Sequence, residues 1–154
     1  MESLAALINE LENKLPFIEQ KNNTVSQVSI GWHLEHSLLA LIKMISAVEN
    51  SNPADFKKEF NIKRFIVLTL GKFPRGKAKA PESVLPGGET SAETLKPLVE
   101  KARQKAEAFE KLNASKFFKH PVFGDLKIKQ ARRIIVIHTY HHLKIINDII
   151  GKQV

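Results

Sequence analysis

The spacing of apolar residues along the chain predicts helices through most of its length. Between Glu2 and Lys14, leucine and isoleucine recur every three or four residues and form one stripe: Leu4, Leu7, Ile8, Leu11 and Leu15. A second helix is expected from Thr24 to Glu49, because T-V-S-Q at its start has the form of a capping box. Asn52 followed by Pro53 is typical of a helix start, and this third, shorter segment should end near Gly71.

The middle of the chain predicts a long connection followed by a polar helix. Proline and glycine are concentrated between residues 71 and 88, so we expect a crossover loop from Lys72 to Thr90. T-S-A-E, from Thr90 to Glu93, has the form of a second capping box. The amphipathic helix that it opens should end at about Leu112.

A connector and one further helix complete the predicted fold. The segment F-F-K-H-P-V-F-G-D is interrupted by Pro121 and Gly124 and shows no strand-like alternation or hairpin signal. The last helix should run from Lys127 to Ile150 and stop at the glycine that follows. Four long helices with one long crossover predict an all-α four-helix bundle, in which the segment from Pro53 to Gly71 is an additional short helix.

Composition predicts a globular protein of ordinary type. We expect residues 1–154 to form a single domain, with 43% hydrophobic and 26% charged residues. No uncharged apolar run approaches the ~20 residues of a membrane span, and the amino-terminal residues lack the basic start of a signal peptide. A cytoplasmic location is therefore expected, without membrane partners. The absence of cysteine excludes disulfides, thiolate metal sites and a cysteine nucleophile.

The formal charge of +8 raises the question of an anionic partner. Basic residues are concentrated in the loop from Lys72 to Lys79, whereas the others alternate with acidic residues on helix faces. A solvated surface is the simplest interpretation of this charge. The alternative hypothesis is that the basic loop attracts an anionic cosubstrate. Nucleic-acid binding is disfavoured, because aromatic residues are only 7% and no recognition-helix signature is present.

The last predicted helix carries three histidines within its most apolar part. At 100° per residue, His138 and His142 lie at the centre of an isoleucine stripe, while His141 lies at its margin. Burying an imidazole without a partner costs a few kcal/mol. Histidines at positions i and i+4 can share one metal ion, although hydrogen-bonded core histidines are the commoner reason for such a pattern.

A third ligand would have to come from another helix. The candidates are His33 and His36 in the second helix, which are only about 60° apart on the helical wheel, so periodicity does not choose between them. His120 precedes a proline in the connector and is expected at most to line the pocket.

Three short motifs resemble the DinB superfamily of metal-binding four-helix bundles. W-H-L-E-H (Trp32 to His36) is similar to the second-helix pattern of that family, and H-P-V-F-G (His120 to Gly124) resembles the connector of one branch. H-T-Y-H-H-L (His138 to Leu143) matches its last-helix pattern. One departure is Ile145, where relatives in this branch often have glutamine.

The resemblance implies a metal site made of three histidines with several polar and aromatic neighbours. The implied metal ligands are His36, His138 and His142. The residues expected to surround them are Trp32, His33, Glu35, His120 and His141. Glu35 and Asp148 are the acidic candidates for orienting the histidines. No acid is placed well enough to be named as a general base.

A three-histidine site suggests two kinds of chemistry on small molecules. Nickel, zinc, iron or cobalt would suit nitrogen ligands, and open positions on the metal are typical of catalytic sites. A bound water can be acidified for hydrolysis; alternatively, a low-molecular-weight thiol can be held as thiolate and transferred, as the resemblance implies. The alternative is a non-enzymatic metal-binding or nucleic-acid-binding helical protein. The apolar second helix is also compatible with a homodimer.

Overall fold

The computed structural model describes residues 3–74 and 81–151 of the chain. This part is predominantly helical, with five α-helices and a small antiparallel sheet of two strands. In chain order the elements are α1 (Leu4–Glu12), α2 (Ile30–Glu49), α3 (Ile62–Leu70), α4 (Ala92–Glu110), β1 (Phe117–His120), β2 (Gly124–Lys127) and α5 (Ile128–Gly151). Three short 3₁₀ turns lie at Leu15–Phe17, Pro53–Asp55 and Glu82–Val84. Glu2 and the part of the basic loop from 75 to 80 lie outside the described residues.

The second helix begins six residues later than the capping-box pattern predicted. The Asn22 side chain accepts hydrogen bonds from both the backbone N–H and the hydroxyl of Thr24, so Thr24 belongs to a turn. Ser29 is the actual cap, and its hydroxyl accepts from the Trp32 N–H. The preceding chain crosses close to the helix start, where the Gly31 N–H donates to the Ile18 carbonyl at 2.9 Å. A Cβ at Gly31 would lie 3.2 Å from that oxygen, so the close approach favours glycine there.

The cap of α4 is also shifted by one residue from the prediction. Ser91, rather than Thr90, forms the capping box, and its partner is Thr94 instead of Glu93. The Thr90 hydroxyl donates to the Glu35 carboxylate at 2.6 Å. Its side chain is therefore engaged with α2 and does not cap its own helix.

The segment predicted as one helix from Pro53 to Gly71 is divided in two. Asn52 caps only the 3₁₀ turn Pro53–Asp55. The Lys57 N–H then donates to the Asp125 carboxylate at 2.8 Å, and this tertiary bond replaces the one that a continuing helix would make. A new cap, Asn61, starts α3.

The segment predicted as a connector forms a β-hairpin, which the sequence pattern did not indicate. Phe117 pairs with Lys127 and His120 with Gly124 in an antiparallel register. At the turn, the His120 Nδ1 accepts from the backbone N–H groups of Val122 and Phe123. Gly124 has a φ of +67°, a conformation that side chains disfavour. Strands of four residues are too short for alternation to identify, and β1 is held by packing against α2 and α5.

Four helices enclose the hydrophobic core. Both α1 and α2 pack against α4 and α5. Their fully buried side chains include Leu4, Leu7, Ile8, Leu11, Ile30, Leu34, Leu38, Leu41, Ile45, Leu95 and Ile134. Within the described ranges, none of the helices combines the length and the apolar character needed to cross a bilayer. The contact between α2 and α5 brings most of the histidines close together, because these two helices carry five of the six.

Candidate metal centre

The packing of α2 against α5 brings His36, His138 and His142 together. One ligand-type ring nitrogen from each lies within 4.8 Å of the other two. The ring centroids are 5.2 Å apart for His36 and His138, and 4.7 Å apart for His36 and His142 and for His138 and His142. His138 and His142 lie one turn apart on α5, so both rings reach the same point on α2. These three residues could hold a metal ion.

His36 is oriented by the crossover segment. Its Nδ1 donates to the Val84 carbonyl at 2.8 Å, which leaves the Nε2 lone pair available. The Trp32 ring stacks on the His36 ring with centroids 5.0 Å apart and covers one face. Burial lowers the pKa of His36, while the bond to Val84 acts in the opposite direction. Histidines that bind metals characteristically donate their second nitrogen to a carbonyl in this way.

His138 carries a buried nitrogen that has no hydrogen-bond partner in the part of the chain that the structure describes. The residue is half-buried, but its Nδ1 is enclosed and makes no hydrogen bond with the described residues. Burial, reinforced by the neighbouring His36, His141 and His120, lowers the pKa of His138 to about 3. The imidazole is therefore neutral at pH 7. Buried polar atoms normally have a partner, so an enclosed nitrogen without one among the described residues is an unusual feature of this site.

His142 is held by a chain of two hydrogen bonds that ends at Ser26. Its Nδ1 lies 3.0 Å from the Nδ1 of His33, and the His33 Nε2 lies 2.9 Å from the Ser26 hydroxyl oxygen. If the His142 Nδ1–H donates to His33 and the His33 Nε2–H donates to Ser26, the Nε2 of His142 keeps a free lone pair. If instead the Ser26 hydroxyl donates to the His33 Nε2 and the His33 Nδ1–H donates to His142, the proton of the neutral His142 ring is on Nε2. Burial, reinforced by the neighbouring histidines, lowers the pKa of His142.

Aromatic rings line the outer side of the three histidines. Phe73 contacts both His138 and His141, with centroids 6.1 and 6.2 Å apart. His120 stacks on Phe123 at 4.4 Å and is close enough to His138 to affect its pKa. Burial lowers the pKa of His120 to about 4, and because its Nδ1 accepts from the backbone, the proton of the neutral ring is on Nε2.

The predicted neighbours have different positions relative to the three histidines. Trp32 and His33 contact the site directly, and the half-buried His141 ring lies 5.1 Å from that of His142. The Glu35 carboxylate is engaged with Thr90. Asp148 lines a surface depression with Glu10, Tyr140, Leu143, Lys144 and Asn147.

Three residues that contact the site were not predicted from the sequence: Ser26, Phe73 and Val84. Val84 contributes a backbone carbonyl, for which no residue type is diagnostic. Phe73 lies in the crossover segment, and its ring reaches α5 only through tertiary folding. A hydroxyl seven residues before His33 is a weak signal, because the turn before α2 positions it.

A family model described as "Protein of unknown function (DUF1569)" matches residues 19–148. The chain belongs to this family. The match covers all six histidines, from His33 to His142, and therefore the whole candidate site. No curated protein and no solved structure matches the chain.

Membership of the DUF1569 family corrects the DinB assignment made from three short motifs. The DinB assignment is wrong, because the model that matches this chain is that of DUF1569. Short patterns such as H-x-x-x-H recur in unrelated helices and do not identify a family by themselves. What remains of that inference is geometric: in this DUF1569 protein, His36, His138 and His142 lie together.

Proposed function

We propose that His36, His138 and His142 bind one divalent metal ion. The observation that carries this proposal is the close approach of three neutral imidazoles, whose ligand-type nitrogens lie within 4.8 Å of one another. The enclosed Nδ1 of His138, which has no hydrogen-bond partner among the described residues, adds to it. The contacts of His36 with Val84 and of His142 with His33 support it, since both resemble the hydrogen bonds that orient metal ligands. Nitrogen ligands suit zinc, nickel, iron or cobalt.

We further propose that the protein is a metal-dependent hydrolase of small molecules. Three protein ligands leave the ion with an open position, and the ion would supply Lewis acidity to a bound substrate and acidify a bound water. The chain itself contributes the setting: Phe73 and Trp32 form apolar walls, and the neutral His120 offers an Nε2–H donor. A small molecule with an ester or amide group is the substrate class that fits.

A thiol-dependent S-transferase would use the same site. The chain has no cysteine, so the thiol would come from a low-molecular-weight cosubstrate. The transfer reaction was favoured by the resemblance to the DinB superfamily, which the DUF1569 match corrects. We therefore propose hydrolysis before transfer. A non-enzymatic metal-binding protein would retain the ion and show neither reaction.

The fold proposed for this function is a single four-helix bundle, formed by α1, α2, α4 and α5 with α3 outside it. The support is the pairwise packing of α1 and α2 against both α4 and α5. Bundles of this kind commonly carry metal sites between facing helices.

The test of metal binding is a titration of the chelator-treated protein with Zn²⁺, Ni²⁺, Co²⁺ and Fe²⁺, the iron under anaerobic conditions. We expect one ion per chain and a loss of more than about a hundredfold in affinity for His138→Ala. The matched control is His141→Ala, which removes a half-buried histidine of the same helix from outside the three-histidine group and should bind normally. Absence of bound metal from the wild-type protein, or equal affinity of the two variants, would refute the proposal.

The reaction is tested separately on the metal-loaded protein. A panel of small esters and amides measures hydrolysis, and a panel of electrophiles with added thiols measures transfer. We expect hydrolysis by the wild-type protein and by His141→Ala, and its loss in His138→Ala. Transfer without hydrolysis would show that the protein is an S-transferase and would refute the proposed hydrolysis. The absence of both reactions would also refute it and would indicate a non-enzymatic metal-binding protein.

A further inference from the structure

The short helix α3 presents its apolar side to solvent. Ile62, Phe65, Ile66 and Leu70 lie on this side with exposed fractions of 56, 58, 47 and 59%, and Phe60, just before the helix, is 81% exposed. We call these five residues the α3 surface. Helices of globular proteins normally turn their apolar stripe toward the core. A contiguous group of exposed large apolar side chains marks an interaction site.

The orientation of α3 is set by bonds on its opposite side. Arg64 points toward the hairpin, where its guanidinium donates to the carbonyls of Phe123 and Asp125 at 3.1 and 2.8 Å, and also to that of Glu59. Val67 is buried beside it. These contacts hold the polar residue inward and leave the apolar side chains outward.

The charge around the α3 surface is predominantly positive. Lys57, Lys58, Lys63 and Lys72 are exposed beside it, and Arg133 lines the neighbouring depression with Phe60 and Phe65. Asp55 and Glu59 are the acidic residues of the same stretch. Two copies joined through this surface would bring the lysines of one near those of the other, whereas an anionic partner would be attracted.

No membrane partner was expected from the sequence, because no segment is long and apolar enough to span a bilayer; we propose instead that the α3 surface binds the chain peripherally to membranes that contain anionic phospholipids. Phenylalanine, isoleucine and leucine enter the boundary between headgroups and acyl chains, while neighbouring lysines contact anionic headgroups. The α3 side chains project outward from a solvent-facing helix. A lipid interface accepts such projecting groups without the shape complementarity that a protein partner requires. This proposal is independent of the metal site.

The test is sedimentation of the full chain with vesicles of phosphatidylcholine alone or of phosphatidylcholine with phosphatidylglycerol. We expect binding to the anionic vesicles that weakens with added salt, and little binding to the neutral vesicles. The double variant Phe60→Ser/Phe65→Ser should bind at least tenfold more weakly. Lys63→Glu should lower binding by about fivefold or more, the effect of about one lysine at an anionic surface.

Two control variants test whether the loss of any exposed aromatic ring or any exposed lysine would weaken vesicle binding to the same extent. Tyr140→Ser removes an aromatic that is 55% exposed on α5, and Lys101→Glu reverses an exposed charge on α4. Both should bind the vesicles as the wild-type protein does. Circular dichroism checks folding, and Leu70→Ser replaces the double variant if that variant does not fold.

Several results would overturn the proposal. These are equal binding to neutral and anionic vesicles, unchanged binding by the phenylalanine variants, or no binding at all. Self-association in analytical ultracentrifugation that Phe65→Ser abolishes would assign the surface to a second copy instead. Binding to polyglutamate as strong as binding to the anionic vesicles would show that charge alone is responsible and would also overturn the proposal.

Discussion

At the scale of single residues, His33 shows how a side chain outside the three-histidine group can control it. His33 lies between His142 and Ser26, with hydrogen-bond distances of 3.0 and 2.9 Å. By accepting the Nδ1 proton of His142, it would keep the Nε2 of that ring unprotonated. In the proposed metal site, His33 is therefore a positioning residue.

We predict that His33→Ala weakens metal binding without abolishing it. Partners that orient metal ligands are typically worth about 10- to 100-fold in affinity. His33→Gln keeps an acceptor oxygen and should recover part of the loss, which simple removal of bulk would not explain. Competition titration with a chelating dye measures the affinity of each variant. If His33→Ala binds as tightly as the wild-type protein, His33 does not position His142.

The pKa values of the histidines predict how stability depends on pH. Burial lowers the pKa of His138 to about 3 and that of His120 to about 4, below the ordinary value near 6.5 of an unfolded chain. As the pH falls below about 6.5, the unfolded chain binds protons before the folded chain does, and folding becomes less favourable.

We therefore predict that the metal-free protein loses stability steadily between about pH 6.5 and pH 4. The measurement is the free energy of unfolding by urea at a series of pH values. His138→Gln removes one of the titrating groups and should make this dependence shallower. A free energy of unfolding that stays constant or increases as the pH is lowered through this range would contradict the burial of these histidines.

At the scale of elements, capping patterns identified helices but placed their starts incorrectly. Thr24 and Thr90 each match a capping box in sequence, yet Ser29 and Ser91 are the residues that cap α2 and α4. In both cases another side chain, Asn22 or Glu35, binds the threonine hydroxyl. Local sequence offers several hydroxyls near a helix start, and contacts outside the local motif decide which of them caps.

We predict that Ser91→Ala lowers the free energy of unfolding by about 1 kcal/mol, the usual effect of removing an N-cap. Thr24→Ala is the control, since Thr24 is exposed and its hydroxyl donates to the Asn22 side chain in a turn instead of capping a helix, and it should have a much smaller effect. Chemical denaturation of both variants measures the difference. Equal losses would mean that Thr24 contributes as much as the observed cap does.

At the scale of the whole molecule, the site joins elements that are distant in the chain. The ligand candidates come from α2 and α5, and the Val84 carbonyl belongs to the crossover between α3 and α4. A metal ion that binds the folded but not the unfolded chain would stabilise the whole domain through this junction.

We predict that excess metal raises the melting temperature of the wild-type protein. At a free concentration a hundred times the dissociation constant, the stabilisation is about 2.7 kcal/mol. His138→Ala should show no such increase, while His141→Ala should behave like the wild-type protein. Differential scanning calorimetry with and without metal measures the effect. An equal increase in all three proteins would indicate binding elsewhere.

The sequence by itself determined where most helices lie and which face of α5 is apolar. Periodicity is a local property, so it located His138 and His142 on one stripe and left His33 and His36 undecided. Only the tertiary structure placed the His36 ring beside them and directed His33 to Ser26. The break after Asp55 depended on a distant partner, because the Lys57 N–H donates to the carboxylate of Asp125, more than sixty positions along the chain. The strands of the hairpin pair locally, but they are held in place by packing against α2 and α5. A site assembled from separate elements depends on packing, which local patterns do not encode.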